Sequence, residues 1–157
     1  MLSQAQQVKN RGYYGLVVWK GKYENNLSCL LRSAHIFHCS FIVIVGGRYK
    51  RFRADTTNAS KHIPLYECPE EWLFDTYIPK YCQMVAVEKV EYARPLETFQ
   101  HPEQAVYILG PEDGNIPDYI MKKAHHRVIL PGEYCLNQSV TGSIVMYDRI
   151  QKRSQNV

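Results

Sequence analysis

Three short apolar runs, FIVIV, AVYIL and RVIL, constrain the fold of this chain more than any other feature of the sequence. A strand with one face in water alternates apolar and polar residues, whereas a strand with a continuous apolar run is buried on both faces. Strands of this second kind belong to parallel sheets, whose faces are covered by the helices that connect them. The runs therefore predict an α/β protein with a mostly parallel sheet and helices on both faces.

The rest of the chain divides into similar short segments. We also predict strands in YYGLVVWK, IPLYEC and MVAVEKV, and helices around PEEWLFDTYI, IPDYIMKKA and SVTGSIVMYDRIQKR. The segment NLSCLLRSAHIFHC predicts a helix because five apolar residues share one face at about 100° per residue: Leu27, Leu30, Leu31, Ala34 and Phe37. A chain of 157 residues suits one domain with a sizeable core. We expect a flexible tail over residues 1–12 and a single domain over residues 13–157.

Composition excludes several classes of protein. The five cysteines are scattered and include no CxxC pair, which is typical of reduced thiols in the cytoplasm rather than of a disulfide framework. No apolar run approaches the ~18 residues of a membrane span, so we expect no membrane partner. The sequence contains neither GxGxxG after its first strand, nor GxxxxGK[ST], nor GxSxG, which argues against the usual nucleotide cradles and hydrolase elbow. His35-x-x-His38 and His125-His126 lack a third ligand in a recognisable pattern, so we predict no metal.

Polar loops follow three of the predicted strands. FIVIV ends in Gly46-Gly47, AVYIL is followed by residues 110–115, and RVIL is followed by Pro131-Gly132 and a polar patch over residues 135–139. In open parallel sheets, ligands bind beyond the carboxyl ends of the strands. Any one of these loops could be an ordinary turn, but together they predict a binding site at this edge of the sheet.

Three separated segments resemble, in order, the motifs of the SPOUT superfamily in its SpoU-like branch of RNA ribose 2'-O-methyltransferases. NLSCLLRSA resembles N-x-G-x-x-x-R-x-A, GPEDGNIP resembles G-x-E-x-x-G-L, and LPGEYCLNQSVTGSIVMYDR resembles I-P-x…S-L-N-x-S-x-A. The resemblance implies a deep trefoil knot in the C-terminal third, with S-adenosylmethionine bound in the knot. It also implies a homodimer, with the helix predicted over residues 139–153 at the interface. The expected substrate is an RNA, with tRNA favoured and rRNA the other candidate.

The resemblance carries catalytic roles to five positions: Arg32, Asn26, Glu112, Asn137 and Cys135. Arg32 matches the catalytic arginine and lies about 160° from the apolar stripe of its helix, so it can point into a site. Because a guanidinium rarely gives up its proton, we expect it to hold a phosphate and stabilise the developing alkoxide rather than act as a base. Asn26 matches the residue that supports this arginine, or is a helix N-cap. Asn137 is expected to position substrate or cofactor groups.

Cofactor contacts are implied at the ends of three strands: Ala86, Glu88, Leu109, Gly110, Leu130, Gly132, Cys135 and Leu136. The small residues Thr141, Gly142 and Ser143 would let the last helix pack closely. Elsewhere the sequence departs from the motifs, with Ser28 and His38 at positions where glycine is usual. Asn115 also replaces a glycine, and asparagine tolerates the positive φ that such a turn requires.

Cys135 replaces the usual serine, and a thiol is the poorer hydrogen-bond donor. This change keeps open an RNA-binding dimer with weakened catalysis. Methylation of a base rather than a ribose is a further alternative, against which the first motif with Arg32 argues.

The loop RYKRFR concentrates positive charge in a chain whose net charge is only +4. Its four cations can hold phosphates, and Tyr49 and Phe52 between them offer rings for unpaired bases to stack on. We predict that RNA binds here, although a solvated turn is the simpler interpretation of a charge run. The predicted contacts are Arg48, Lys50, Arg51 and Arg53; an alternative approach for RNA is the N-terminal tail with Lys9 and Arg11.

Overall fold

A computed structural model describes residues 3, 5–6, 10–20, 24–47 and 58–155. These residues form a seven-stranded sheet in the order β3-β2-β1-β6-β4-β7-β5, in which every pairing is parallel. The strands are β1 (Tyr13–Trp19), β2 (Phe41–Val45), β3 (Leu65–Cys68), β4 (Gln83–Val87), β5 (Arg94–Pro95), β6 (Gln104–Leu109) and β7 (His126–Ile129). The six predicted strands and the parallel sheet are confirmed. The two-residue strand β5 was not predicted, because two residues are too short to carry a pattern.

Three α-helices are described: α1 (Glu24–Ile36), α2 (Asp118–Lys123) and α3 (Gln138–Gln155). The helix predicted around PEEWLFDTYI is instead a 3₁₀ turn, Glu70–Trp72, followed by a single π-helical turn, Leu73–Tyr77. Pro69 and Pro79 bound this segment, and proline disfavours helix both at its own position and just before it. The helical turns therefore end before Pro79, and nothing in the structure explains why they are not α-helical.

The sheet has an apolar core on each face, because successive strand residues point to opposite sides. Leu16 and Val18 of β1 pack in one core with residues of α1 and α3. Val17 and Trp19 pack in the other core with residues of α2 and the 70–77 turns. Helices on both faces are thus confirmed, and the first core contains the two longest helices described.

Gly142 lets α3 lie close to both α1 and the sheet. A Cβ atom at this position would lie 2.5 Å from Leu30 Cδ1 and 2.8 Å from Leu109 Cδ1, distances that real Cβ atoms do not adopt. The neighbouring Ser143 hydroxyl lies 2.8 Å from the Ser33 hydroxyl of α1. The close packing expected of the small residues in this helix is therefore present at Gly142 and Ser143.

A polar network lies at the edge of the sheet where the strands begin, that is, at their amino ends. Arg149 is fully buried, and its guanidinium donates to the carbonyl of Arg11 at 2.7 Å and to the hydroxyl of Tyr107 at 2.9 Å. Burial lowers the pKa of His101 to about 4, so this imidazole is neutral at pH 7. Its contact with Asp148, 2.8 Å long, is then a hydrogen bond rather than an ion pair.

The N-terminal segment meets this network. The carbonyls of Asn10 and Arg11 accept hydrogen bonds from Arg153 and Arg149 respectively. Most of residues 1–9 lie outside the described part of the chain, so the flexible tail stays a prediction. Among the helices that the structure describes, none is long and apolar enough to cross a membrane.

Candidate functional site

A cleft lies at the carboxyl ends of β4, β6 and β7, where the chain turns into α3. Its wall includes five of the residues expected to contact a cofactor: Glu88, Gly110, Leu130, Cys135 and Leu136. Tyr134 and Thr141 also line the cleft, on the side where the chain turns from β7 into α3. The loops after β4, β6 and β7 therefore meet in one place, at the carboxyl edge of the parallel sheet. Two of them follow strands predicted to border a site, AVYIL and RVIL, whereas Gly46 and Gly47 after FIVIV do not line this cleft.

Three other residues expected at this site do not line the cleft. Ala86 and Leu109 are fully buried in the two cores beneath it. Gly132 lies beside the cleft wall, one residue after Pro131, with φ +140°. Glycine is the residue that adopts this backbone region readily, so Gly132 shapes the turn that leads from β7 into the cleft wall.

Glu88 ties the end of β4 to the loop that follows β6. One carboxylate oxygen accepts the backbone N–H of Ile116 at 3.0 Å, and the other accepts that of Lys89 at 3.0 Å. A Cβ atom on Gly110 would lie 2.6 Å from the first of these oxygens. Glycine at position 110 is therefore required for the carboxylate to reach the loop over the floor of the cleft.

Gln138 joins the third motif to the strands and was not predicted as a site residue. Its side chain is buried, and Nε2 lies 2.9 Å from the carbonyl oxygen of Gly110, 3.0 Å from that of Leu109 and 3.2 Å from that of Trp19. These three carbonyls stand at the carboxyl ends of β1 and β6, where the strand ladder stops. Gln138 thus fixes the start of α3 against the floor of the cleft.

Asn137 caps the N-terminus of α3. Its Oδ1 accepts the backbone N–H of Ser139 at 2.8 Å, the Ser139 hydroxyl at 2.9 Å and the N–H of Val140 at 3.3 Å. An N-cap side chain usually accepts hydrogen bonds from the free backbone N–H groups in the first turn of a helix. Because this oxygen is already engaged, any contact of Asn137 with a substrate or cofactor falls to its amide nitrogen.

The structure brings Asn26 and Glu112 together from distant parts of the chain. The Asn26 amide donates to Glu112 Oε1, which joins the first motif to the second. The alternative role of Asn26 as a helix N-cap is wrong, because α1 already begins at Glu24. Arg32 is exposed on α1 and does not belong to the wall of the cleft. The contact between Asn26 and Glu112 was not predicted from the sequence, and the catalytic role of Arg32 stays a prediction.

The turn after β6 differs from the expectation in one detail. Its residue with positive φ is Gly114, at φ +101°, and not Asn115. Glycine adopts this conformation without a steric penalty. Gly114, and not the asparagine after it, therefore supplies the positive φ that the turn requires. The position at which the family pattern has glycine is therefore shifted by one residue here.

The basic loop with Arg48, Lys50, Arg51 and Arg53 lies outside the described residues. Within the described ranges, no group of three or more His, Cys, Asp or Glu side chains could hold a metal ion.

The parallel sheet with helices on both faces makes this chain an α/β protein, and its cleft lies at the edge where α/β proteins bind their ligands. Its family is narrower: the pattern of the SpoU rRNA methylase family matches residues 14–147. The chain belongs to this family. No curated protein sequence matches the chain.

Solved structures of similar fold agree with this family. The TrmH/SpoU tRNA-modifying enzyme of A. aeolicus is 17% identical with a TM-score of 0.81, over 96% of this chain and 81% of that protein. The AdoMet-bound rRNA methyltransferase of Sinorhizobium meliloti is 19% identical with a TM-score of 0.77, over 89% of this chain. This chain spans 56% of that protein's length. A third structure comes from a study of the 2-OH methylation of C/U34 on tRNA. It is 14% identical with a TM-score of 0.74, over 90% of this chain and 97% of that one. At these identities the likeness concerns the fold.

Proposed function

We propose that this protein transfers the methyl group of S-adenosylmethionine to a ribose 2'-hydroxyl of an RNA, with tRNA the favoured substrate. The observation that carries the proposal is the convergence of three distant segments. Asn26 of the first bonds Glu112 of the second, and Gln138 of the third bonds the Gly110 carbonyl at the start of the second. Family membership and the tRNA-modifying relative from A. aeolicus support the same function.

The residues of the cleft fit the proposed cofactor, which supplies an electrophilic methyl sulfonium. Leu130 and Leu136 line the cleft and offer apolar surface for an adenine ring. The interior of the cleft is only about 60 Å³, smaller than a pocket for a molecule of this size. We therefore expect the exposed segment over residues 131–136 to move outwards when the cofactor binds.

The reaction breaks the bond between sulfur and methyl carbon, forms a bond from the ribose oxygen to that carbon, and releases the hydroxyl proton to water. A ribose hydroxyl is a poor nucleophile, so charge that develops on its oxygen needs stabilising. Arg32 is placed in this role because its guanidinium stays positive and can hold a neighbouring phosphate at the same time. Asn26 and Glu112 hold the loop after β6 against the first turn of α1, which carries Arg32 further along.

A homodimer and a trefoil knot are part of the proposal. On α3, the apolar side chains of Val140, Ile144 and Tyr147 are exposed and follow one another at helical spacing. An exposed apolar stripe of this kind is typical of a protein interface.

The knot is supported by the buried Gln138, whose contacts with the carbonyls of Trp19 and Leu109 hold the start of α3 between the ends of two strands. The cytoplasmic location expected from the scattered cysteines belongs to the same proposal.

Transfer of a labelled methyl group from S-adenosylmethionine to total RNA tests the function. Arg32→Ala should lose most of the transfer while its cofactor affinity, measured by calorimetry, stays within a few-fold of the wild type. The matched control is Arg94→Ala, because Arg94 is an exposed arginine on β5 at the far edge of the sheet. Loss of cofactor binding together with activity would contradict the role given to Arg32. Cofactor binding by the wild type without any transfer would favour the alternative of a catalytically weakened RNA-binding protein.

A further inference from the structure

A basic cavity of about 560 Å³ lies at the amino ends of β1 and β2, at the opposite end of the sheet from the candidate site. Four side chains that are or can become cationic line it: Arg11, His35, His38 and His62. The rings of His35 and His62 stack with centroids 4.7 Å apart and planes within 7°. Within the described residues, its lining contains no carboxylate. The cavity therefore offers N–H donors and positive charge with no acidic partner in its wall.

His38 occupies a backbone position that favours glycine. The N–H of Cys39 bonds the carbonyl of Ala34 and the N–H of His38 bonds that of His35, which is the Schellman arrangement at the end of a helix. His38 has φ +57°, a left-handed conformation that costs a side chain energy and is usually taken by glycine. Burial, then the positive charges of Arg11 and His35, lower the pKa of this imidazole. Residues in strained backbone conformations cluster at functional sites, and His38 lines this cavity in such a conformation.

An aromatic cavity of about 420 Å³ adjoins the basic one. Four rings line it: Tyr13, Phe41, Tyr66 and Tyr77. Tyr13 and Ser40 line both cavities. The Ser40 hydroxyl is buried and has no hydrogen-bond partner among the described residues, and a buried group without a partner calls for one.

The buried Arg149 holds Arg11 at this place. Its guanidinium bonds the Arg11 carbonyl from two nitrogens, at 2.7 and 3.1 Å, and also the carbonyl of Glu103 at 2.7 Å. Gly12 follows with φ +67°, and a Cβ atom there would lie 2.3 Å from the Glu103 carbonyl oxygen. The backbone beside Arg11 is therefore fixed before any ligand arrives, which lowers the entropy cost of binding.

We propose that these two cavities form a groove that binds a nucleotide of single-stranded RNA, with its phosphate in the basic half and its base against the tyrosines. Basic side chains beside exposed rings are the usual surface for unpaired RNA. The inference rests on the proposed function in so far as RNA is the substrate. The seven residues of β1 separate the groove from the candidate site by about 20 Å, a distance that a single RNA molecule can span. An acidic peptide would use the basic half alone.

Binding of a short fluorescein-labelled oligouridylate to the full chain tests the groove. Tyr66→Ala should weaken binding by about five-fold or more because it removes a stacking ring, whereas Tyr66→Phe, which keeps the ring, should bind nearly as the wild type does. Tyr92→Ala is the matched control, since Tyr92 is an exposed tyrosine near the β5 edge of the sheet. Arg11→Gln should lower the slope of log K against log salt by about 0.7, the contribution of one phosphate contact.

His38→Gly separates binding from folding. Relief of the left-handed strain should raise the melting temperature by about 2 °C or more, while the loss of the imidazole weakens oligouridylate binding. Wild-type affinity in both His38→Gly and Tyr66→Ala would overturn the groove, as would a wild type that does not bind the oligonucleotide. Tight binding of an oligoglutamate peptide that Tyr66→Ala leaves unchanged would make it a peptide site instead. If the wild type methylates RNA and these variants methylate it equally well, RNA binding in the groove is contradicted and the proposed function stands. If the wild type does not methylate RNA, the proposed function itself is contradicted.

Discussion

Replacing Gln138 with glutamate exchanges an NH₂ group for an oxygen and leaves the size of the side chain unchanged. In the wild type, the two hydrogens of this group are shared among the carbonyls of Trp19, Leu109 and Gly110. A buried polar group that loses its partner costs about 1–3 kcal/mol, so two lost hydrogen bonds cost about 2–6 kcal/mol. A negative charge at the N-terminus of α3 offsets about 0.5 kcal/mol of this. We expect Gln138→Glu to lose about 3 kcal/mol of unfolding free energy at pH 7.

Thermal unfolding followed by circular dichroism measures this loss. For a domain of this size, 1 kcal/mol corresponds to about 2–4 °C, so the melting temperature should fall by about 6–12 °C. The introduced carboxyl is buried among carbonyl oxygens, which raises its pKa in the folded protein above the value in the unfolded chain. The loss of unfolding free energy relative to the wild type should therefore be smallest below about pH 4, where the introduced carboxyl is protonated in both the folded and the unfolded chain. This loss should grow as the pH rises through the raised pKa of the folded protein.

Gln151→Glu is the matched control, because Gln151 is exposed on the same helix; its melting temperature should stay within about 2 °C of the wild type. An equal melting temperature for Gln138→Glu at pH 7, or a deficit that grows towards acid pH, would refute the role given to the Gln138 amide.

Three further predictions concern assembly, RNA binding and acid stability. Ile144→Lys on α3 should convert a dimer into a monomer in sedimentation at micromolar concentration, and a monomeric wild type would count decisively against the dimer. Neutral replacement of the four cations in the 48–53 loop should lower the slope of log K against log salt for RNA by about three units while cofactor affinity stays the same; an unchanged slope would mean that RNA approaches elsewhere. Unfolding free energy in urea should fall as the pH decreases from about 6.5 to about 4, because His101, with its pKa lowered to about 4, takes up a proton on unfolding. His101→Gln should flatten this dependence, and an equally steep one would contradict the argument.

The sheet could be predicted from the sequence because its signal is local. Runs such as FIVIV in β2 and AVYIL in β6 are apolar at every position, and only burial on both faces stabilises such strands. The strand pattern depends on residue type and order alone. The hydrogen bond between Asn26 and Glu112 was not predicted, because it joins positions 86 residues apart in the sequence.

Long-range polar contacts could not be predicted in the same way. Gln138 appears in the sequence as one polar residue in a polar patch, and its partners at Trp19 and Leu109 are carbonyls that any residue would supply. Arg149 appears as a cation near a C-terminus, yet it is fully buried against backbone oxygens. For both side chains most of the partners are main-chain carbonyls, which every residue carries, so no pattern of side chains in the sequence predicts these contacts.

The chemical identity of the methylated nucleoside decides whether this protein methylates a ribose or a base. RNA labelled by this protein from S-adenosylmethionine would be digested to nucleosides and separated by chromatography with mass detection. The account predicts that the label lies in a 2'-O-methylnucleoside, and that the adjacent phosphodiester resists alkali because its 2'-oxygen can no longer attack the phosphorus. Label on a base, next to a linkage that alkali still cleaves, would contradict it.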